Sequence, residues 1–501
     1  MPYYVLNNGF ALRGWKGKPF GLGYPNPHFV DFFDKESYEV VYALDGRHDI
    51  REDELSEKQK KLLKRLIEKK IAIESDGTKT IESYQEYKTY PAMYKRSATW
   101  SITGRCNYKC RHCFMSAPDY HGEDLNMEQC RHILDEIDIC GIRSIALTGG
   151  EALVNPHFFE ILDELEERYI ILDTVYSNGL LVNDKLFDEF EKRNMHPNIH
   201  LSFDGVGWHD WLRGVKGAEE DTIRAFRLAK ERGYQTSASM CLHKHNISTL
   251  RETVNLLGSL GLVHLKMNVA TPSGRWKNES EHFITQDEAN EAILEYIPQY
   301  VEDGMPLSVQ FCGFLEFDKE KKVIMIPFRK FSGVAGADKA SACGAVKTSL
   351  YISPQGKVLP CMTLGGTAID PMFDSILEKP LSEILSDSYY RDVCLTKMGE
   401  CIEHNERCRE CKYKLMCGAG CRACACGETS TDYLGIDEET CLFYKHGWYE
   451  KARQVIEKYQ KCFPDNGEDK APTDLNLDKR NRRYNFSEDI TTKKRLSKDQ
   501  G

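Results

Sequence analysis

Nineteen cysteines in 501 residues constrain this chain more than any other feature, because of where they fall. Three sit within Cys106-Asn-Tyr-Lys-Cys110-Arg-His-Cys113, and eleven lie between Cys343 and Cys441. The opening Met-Pro-Tyr-Tyr-Val-Leu-Asn-Asn-Gly lacks a basic segment followed by an apolar one, so a cytoplasmic location is expected. In a reducing compartment crowded thiols are ligands for metals or clusters and not disulfide partners, and the odd count agrees. Thiols spaced four and three apart fit one short loop. They can hold three irons of a [4Fe–4S] cube and leave the fourth open to a ligand bearing an amine and a carboxylate. A zinc site would need a fourth Cys or His, and His112 adjoins Cys113, where it is badly placed to share that metal.

The remaining composition is that of an ordinary globular chain, with a mean hydropathy of −0.51 and length enough for about three domains. No apolar run approaches the ~18 residues of a membrane span, so no membrane partner is expected. A net charge of −10 argues against nucleic acid as the main partner.

Residues 1–90 read as a small domain of winged-helix-like (β3α3) type. Tyr3–Leu6 and Phe10–Trp15 are short strands split by the turn Asn7-Asn8-Gly9. Ser37–Leu44 is a helix. Ser56-Glu-Lys-Gln59 forms a capping box ahead of Leu62, Leu63, Leu66 and Ile67 on one helical face, and Ile71-Ala-Ile73 is a strand. From Trp100 onward strands and helices alternate, which predicts an α/β fold. Ser101–Thr103 leads into the cysteine loop. Asn126 opens a helix whose apolar face holds Cys130, Ile133, Leu134, Ile137 and Cys140, and those two cysteines read as core. Strand Ser144–Leu147 runs into Thr148-Gly149-Gly150-Glu151, where two glycines expose backbone groups and Glu151 can meet an ammonium group. Helix 157–168 and the strands Ile171–Tyr176, Ile199–Gly205, Gln235–Leu242 and Val263–Val269 complete six β/α units. These make a partial (β/α)6 barrel, open where a closed one would have two more units.

The loop Cys106-x3-Cys110-x2-Cys113, followed 36 residues later by Gly149-Gly150-Glu151, resembles radical S-adenosylmethionine (SAM) enzymes, with His112 where that family usually places an aromatic. The resemblance covers residues 98–310. It implies that Cys106, Cys110 and Cys113 hold the cluster, and that Gly149, Gly150 and Glu151 bind the SAM amino group. It also implies that Ser202, Asp204 and Arg213 line the SAM or substrate pocket, with Arg213 a partner for a carboxylate. Residues 343–445 are similar to the loop-rich, iron–sulfur SPASM domain, with Cys343, Gly356 and Cys361, then Cys408-x2-Cys411-x5-Cys417-x3-Cys421, then Cys441. By that pattern Cys408, Cys411, Cys417 and Cys441 complete one auxiliary [4Fe–4S] cluster, while Cys343, Cys361 and Cys421 hold a second. The second lacks a fourth ligand. Cys312, Cys401, Cys424 and Cys426 are candidates, or the iron stays open to a substrate thiolate. Cys394 and Cys462 belong to no motif. The N-terminal layout resembles the recognition element of peptide-modifying radical SAM enzymes, which adds a leader peptide to a sheet edge.

The resemblances imply three [4Fe–4S] clusters, SAM, an electron donor such as flavodoxin or ferredoxin, and a precursor peptide bound through its leader. The expected reaction is hydrogen abstraction by a 5′-deoxyadenosyl radical and formation of a cross-link, a thioether first and a carbon–carbon or ether bond next. Peptide epimerisation is an alternative. Sulfatase maturation to formylglycine is another, weakened because Met362 stands where those enzymes carry an Asp. A non-catalytic iron–sulfur or zinc scaffold is the non-enzyme alternative. Residues 464–501 are expected to form a disordered polar tail.

Overall fold

The computed structural model describes residues 3–23, 30–115, 117, 122–270, 272–326 and 336–459. The tail expected over 464–501 and Cys462 lie outside the described residues.

The N-terminal part contains β1 (Tyr3–Leu6), β2 (Ala11–Lys16), β3 (Lys18–Gly23), β4 (Val30–Phe32), α1 (Lys35–Tyr42), β5 (Asp45–Asp49), α2 (Glu57–Glu68), β6 (Ala72–Ser75) and β7 (Lys88–Met93). The winged-helix-like arrangement is present as the antiparallel sheet β5-β1-β6 with α1 and α2, and a 3-10 turn at Glu52–Glu54 stands in for a third helix. A second sheet, β4-β3-β2-β7, was not foreseen. Gly17, with φ +76°, turns β2 back onto β3, so the first two strands enter different sheets. Ser56 and Gln59 form the expected reciprocal cap of α2. Leu62, Leu63 and Leu66 are buried, but Ile67 is 37% exposed, a correction to its expected place on the buried face.

The centre is a run of seven parallel strands: β8 (Ser97–Ser101), β9 (Ser144–Thr148), β10 (Ile171–Ser177), β11 (Asn198–Ser202), β12 (Thr236–Leu242), β13 (His264–Val269) and β14 (Ser308–Phe311). Between them run α3 (Met127–Ile139), α4 (Phe158–Glu167), α5 (Asp184–Lys192), the short α6 (His209–Arg213), α7 (Ala218–Glu231), α8 (Leu250–Ser259) and α9 (Gln286–Glu302). Strands covered by helices on one side and packed inside on the other are apolar along their length, and all five residues of β9 are buried. Cys130 and Cys140 are core residues, 1% and 0% exposed. Ser101 ends β8, and the chain leads from there into the cysteine loop as expected, with Thr103–Arg105 running against Gly149 and Gly150. The barrel also receives the N-terminal part: Trp15, stacked on Tyr90 of β7, donates its Nε1 hydrogen to the Cys140 carbonyl at the end of α3, 3.1 Å away.

Both sheet edges are extended. The hairpin β15 (Leu315–Asp318) and β16 (Val323–Met325) continues past β14. At the other edge β17 (Ser349–Ile352) pairs in parallel with β8 and is followed by β18 (Val358–Leu359). The cysteine-rich region is thereby grafted onto the first strand of the barrel. Beyond β18, until the closing helix Trp448–Tyr459, it consists of short helices and 3-10 turns.

Candidate functional site

The cysteine loop follows β8 and lies over the C-terminal ends of the parallel strands. It is pinned from below by the glycine pair. The Gly150 amide donates to Thr103 O at 3.0 Å and the Glu151 amide to Arg105 O at 2.8 Å. A Cβ on Gly149 would come within 2.5 Å of Thr103 O, and one on Gly150 within 2.3 Å of Arg105 O. The glycines are therefore required by contact with the cluster loop, and the Gly150 and Glu151 amides are already engaged, a correction to the expectation that they stand free. Glu151 is 1% exposed. Its carboxylate accepts from Leu153 N at 3.1 Å and Asn178 N at 2.7 Å. Burial raises its pKa, against the pull of those two amides. The far side of the loop is held by Arg111, whose guanidinium donates to Trp211 O and Glu279 and lies 4.7 Å over the Trp211 ring.

The loop thiols depend on their surroundings. Burial pushes Cys106 up to about 12 and raises Cys110 against the opposing Arg213 charge. In the metal-free chain these two are thiols, and ligation must release their protons. The Cys106 sulfur accepts the Tyr108 amide at 3.4 Å, and the Cys113 sulfur accepts the Ala117 amide at 3.3 Å.

Beneath the loop lies a network invisible in the sequence. Asp204, 0% exposed, accepts Arg213 Nε at 2.6 Å and the Cys241 amide at 2.9 Å. Its own amide donates to His209 Nδ1 at 2.9 Å, which leaves the proton on Nε2, facing Thr222 Oγ1 at 3.3 Å. Thr222 Oγ1 donates to Asn178 O, and Asn178 Nδ2 donates to Asn107 Oδ1 at 2.6 Å. Arg213 Nη1 reaches the Cys110 sulfur at 3.8 Å. Burial alone would raise the Asp204 carboxyl, but the Arg213 guanidinium outweighs it and holds it far below the usual range. Arg213 was expected to meet a ligand carboxylate; its carboxylate partner is Asp204. His112 is drawn toward the same centre, with its ligating atom within 4.8 Å of those of Asp204 and Cys241. Its Nδ1 has no partner, and burial lowers it to about 3, so the ring is neutral. Ser202 ends β11 beside Ser239.

In the C-terminal region Cys408, Cys411, Cys417 and Cys441 share one cavity of about 580 Å³. Four soft thiol donors suit zinc or an iron–sulfur cluster, and the cavity has room for a cube. Arg407 donates to the Cys441 sulfur at 3.5 Å. Cys361 lies within electrostatic reach of Cys421 and Cys343, which brings the second expected set together. Three further residues were missed by sequence reasoning. Buried Asp437 caps the helix Glu438–Lys445 that carries Cys441, and its Oδ2 accepts the Cys421 amide at 2.9 Å, so it links one cysteine of each set. Buried Arg422 donates to the carbonyls of Ala419, Gly420, Tyr433 and Gly435. Lys95, 2% exposed, donates to Val346 O and to the Cys394 sulfur, 3.8 Å away.

Two family models match the chain: the radical SAM superfamily over residues 100–257 and an iron–sulfur cluster-binding domain, SPASM, over residues 343–412. Both domains imply SAM and [4Fe–4S] clusters. Among curated relatives, an AdoMet-dependent heme synthase of Methanosarcina barkeri (strain Fusaro / DSM 804) is 27% identical over 70% of this chain and 97% of its own length. The antilisterial bacteriocin subtilosin biosynthesis protein AlbA of Bacillus subtilis (strain 168) is 25% identical over 57% of this chain and 60% of its own length. Among solved structures, Streptococcus suis SuiB bound to precursor peptide SuiA superposes with a TM-score of 0.56 at 16% identity, covering 88% of this chain and all of that one. No helix among the described residues is long and apolar enough to cross a membrane.

Proposed function

This chain belongs to the radical SAM/SPASM enzymes, and we propose that it modifies a ribosomally made precursor peptide in the cytoplasm. The observation that carries this reading is the open edge of the N-terminal sheet. Strand β6 ends the order β5-β1-β6, α2 packs against it, and Ile73 on β6 and Ile67 on α2 stand 41% and 37% exposed. An unpaired strand flanked by apolar side chains is a template for an added peptide strand. The SuiB likeness, which reaches across 88% of this chain, includes part of this N-terminal region; the heme synthase match covers 70%.

In this reading residues 1–90 recognise the leader, 98–310 form the radical-generating barrel, and 343–445 carry the auxiliary clusters. Cys106, Cys110 and Cys113 hold the first cluster, with Gly149, Gly150, Glu151 and Ser202 around SAM. When bound, SAM and its cluster supply a 5′-deoxyadenosyl radical able to take hydrogen from an unactivated C–H bond. The residues of the chain do the positioning. Gly149 and Gly150 let the loop settle on the strand ends, the Asp204–Arg213 pair holds the loop from beneath at Cys110, and neutral His112 offers a ring without charge. Cys408, Cys411, Cys417 and Cys441 hold one auxiliary cluster; Cys343, Cys361 and Cys421 hold the other, for three clusters in all. Reduction would come from a flavodoxin or ferredoxin.

A thioether is the first expected bond. Anaerobic incubation with the precursor peptide should remove two hydrogens from it; unchanged peptide alongside 5′-deoxyadenosine would defeat the cross-linking reading. A mass held constant with one deuteron gained in D2O would indicate epimerisation. The heme synthase likeness favours a heme precursor as the second reading, established if that compound and not the peptide is consumed.

A further inference from the structure

We propose that Cys424 is the fourth ligand of the cluster held by Cys343, Cys361 and Cys421, which leaves that cluster no iron open to a substrate thiolate. This rests on the reading of those three cysteines as ligands. Cys421-Arg-Ala-Cys424 repeats the C-x2-C spacing of Cys408 and Cys411, a spacing that lets two thiolates reach one cluster. Cys421 caps the short helix Arg422–Cys426, and residues three apart share a helical face. Cys421 and Cys424 therefore present their sulfurs on the same side of this turn. Both are exposed, and no apolar packing accounts for Cys424. The fixed amide contact from Cys421 to Asp437 keeps this turn in place beside Cys441.

The other candidates are placed elsewhere. Cys426, two residues on, lies on the opposite side of the helix and is 2% exposed within the core. Cys401 is 0% exposed. Cys312 follows β14, with its amide bonded to Met267 O, and lies near Cys241 on the barrel side. Cys394 does lie near Cys343, but it is buried and its sulfur already accepts the Lys95 ammonium. With four sulfurs on the cluster, the peptide thiolate would meet it only through space, and the cluster's part in forming a bond would be electron acceptance without ligation.

The test uses full-length protein carrying Cys106→Ala, Cys110→Ala and Cys113→Ala, reconstituted anaerobically so that only auxiliary clusters remain. A cluster with an open iron loses that iron under mild ferricyanide oxidation and becomes a [3Fe–4S] species visible by EPR. The proposal expects about eight irons per chain and no such signal, with the signal rising to about one spin per chain once Cys424→Ala is added. Cys424→Ser, which keeps an oxygen donor, should retain the irons and shift the EPR g-values of the reduced protein. The assignment of Cys424 is overturned, and the maturase reading survives, if the starting variant binds about eight irons and already gives the signal at full strength. Only about four irons in that variant would overturn both.

Discussion

In the barrel, the loop bearing Cys106, Cys110 and Cys113 is held by groups that need no metal: two glycines pressed on backbone carbonyls, a buried Asp204–Arg213 pair and the Arg111 clamp. In the C-terminal region, Cys408, Cys411, Cys417 and Cys441 line a cavity walled by helices of four and eight residues. Such helices are far below the length that is stable alone. One site is cut into a packed core; the other is a shell that a bound cluster would complete. Binding energy at a site that does not exist in the unfolded chain is folding energy.

The largest expected effect follows from that contrast. Cys417→Ala should expose 400–447 to limited proteolysis, because metal sites of this kind supply on the order of 10 kcal/mol. Cys106→Ala should abolish SAM cleavage and remove about four irons while leaving the proteolytic pattern unchanged. Equal sensitivity of the two variants would erase the distinction.

Next in size is Asp204→Ala, which strands the Arg213 charge in the core and should cost about 3–5 kcal/mol by denaturant unfolding. The same group sets a pH dependence. Its carboxyl is held below the ordinary value in the folded state, so the unfolded chain takes up the proton first. The stabilisation is complete above about pH 4 and is lost as pH falls below it. Asp204→Asn should flatten that acid limb.

Gly150→Ala should cost about 1–3 kcal/mol and lower SAM cleavage by lifting the loop off Arg105 O; the melting curve and the 5′-deoxyadenosine yield report the two parts separately. Smallest is Ser56→Ala, which removes one side of the α2 cap for about 1 kcal/mol. It should weaken leader binding by fluorescence titration and leave peptide-independent SAM cleavage untouched.

What could be read from the sequence follows the same divide. The faces of α3 and α4 were legible because their apolar residues recur at the helical period, and the barrel strands because they are short apolar runs between helices. The cysteine sets were legible by spacing. The second N-terminal sheet was not, since Lys18-Pro-Phe-Gly-Leu-Gly23 carries glycine and proline where alternation would be read. Nor was the chain from Asn107 through Asn178, Thr222 and His209 to Asp204, whose members come from separate elements and meet only through the strand register. Asp437 looks like any helix cap until its second oxygen is seen on Cys421.

On the proposed function, a radical made in the barrel takes hydrogen from a peptide. Anaerobic turnover with a perdeuterated precursor peptide in ordinary water tests it most directly. Deuterium in the 5′-deoxyadenosine formed is the predicted result. Undeuterated 5′-deoxyadenosine, produced at the same rate with and without the peptide, would contradict it.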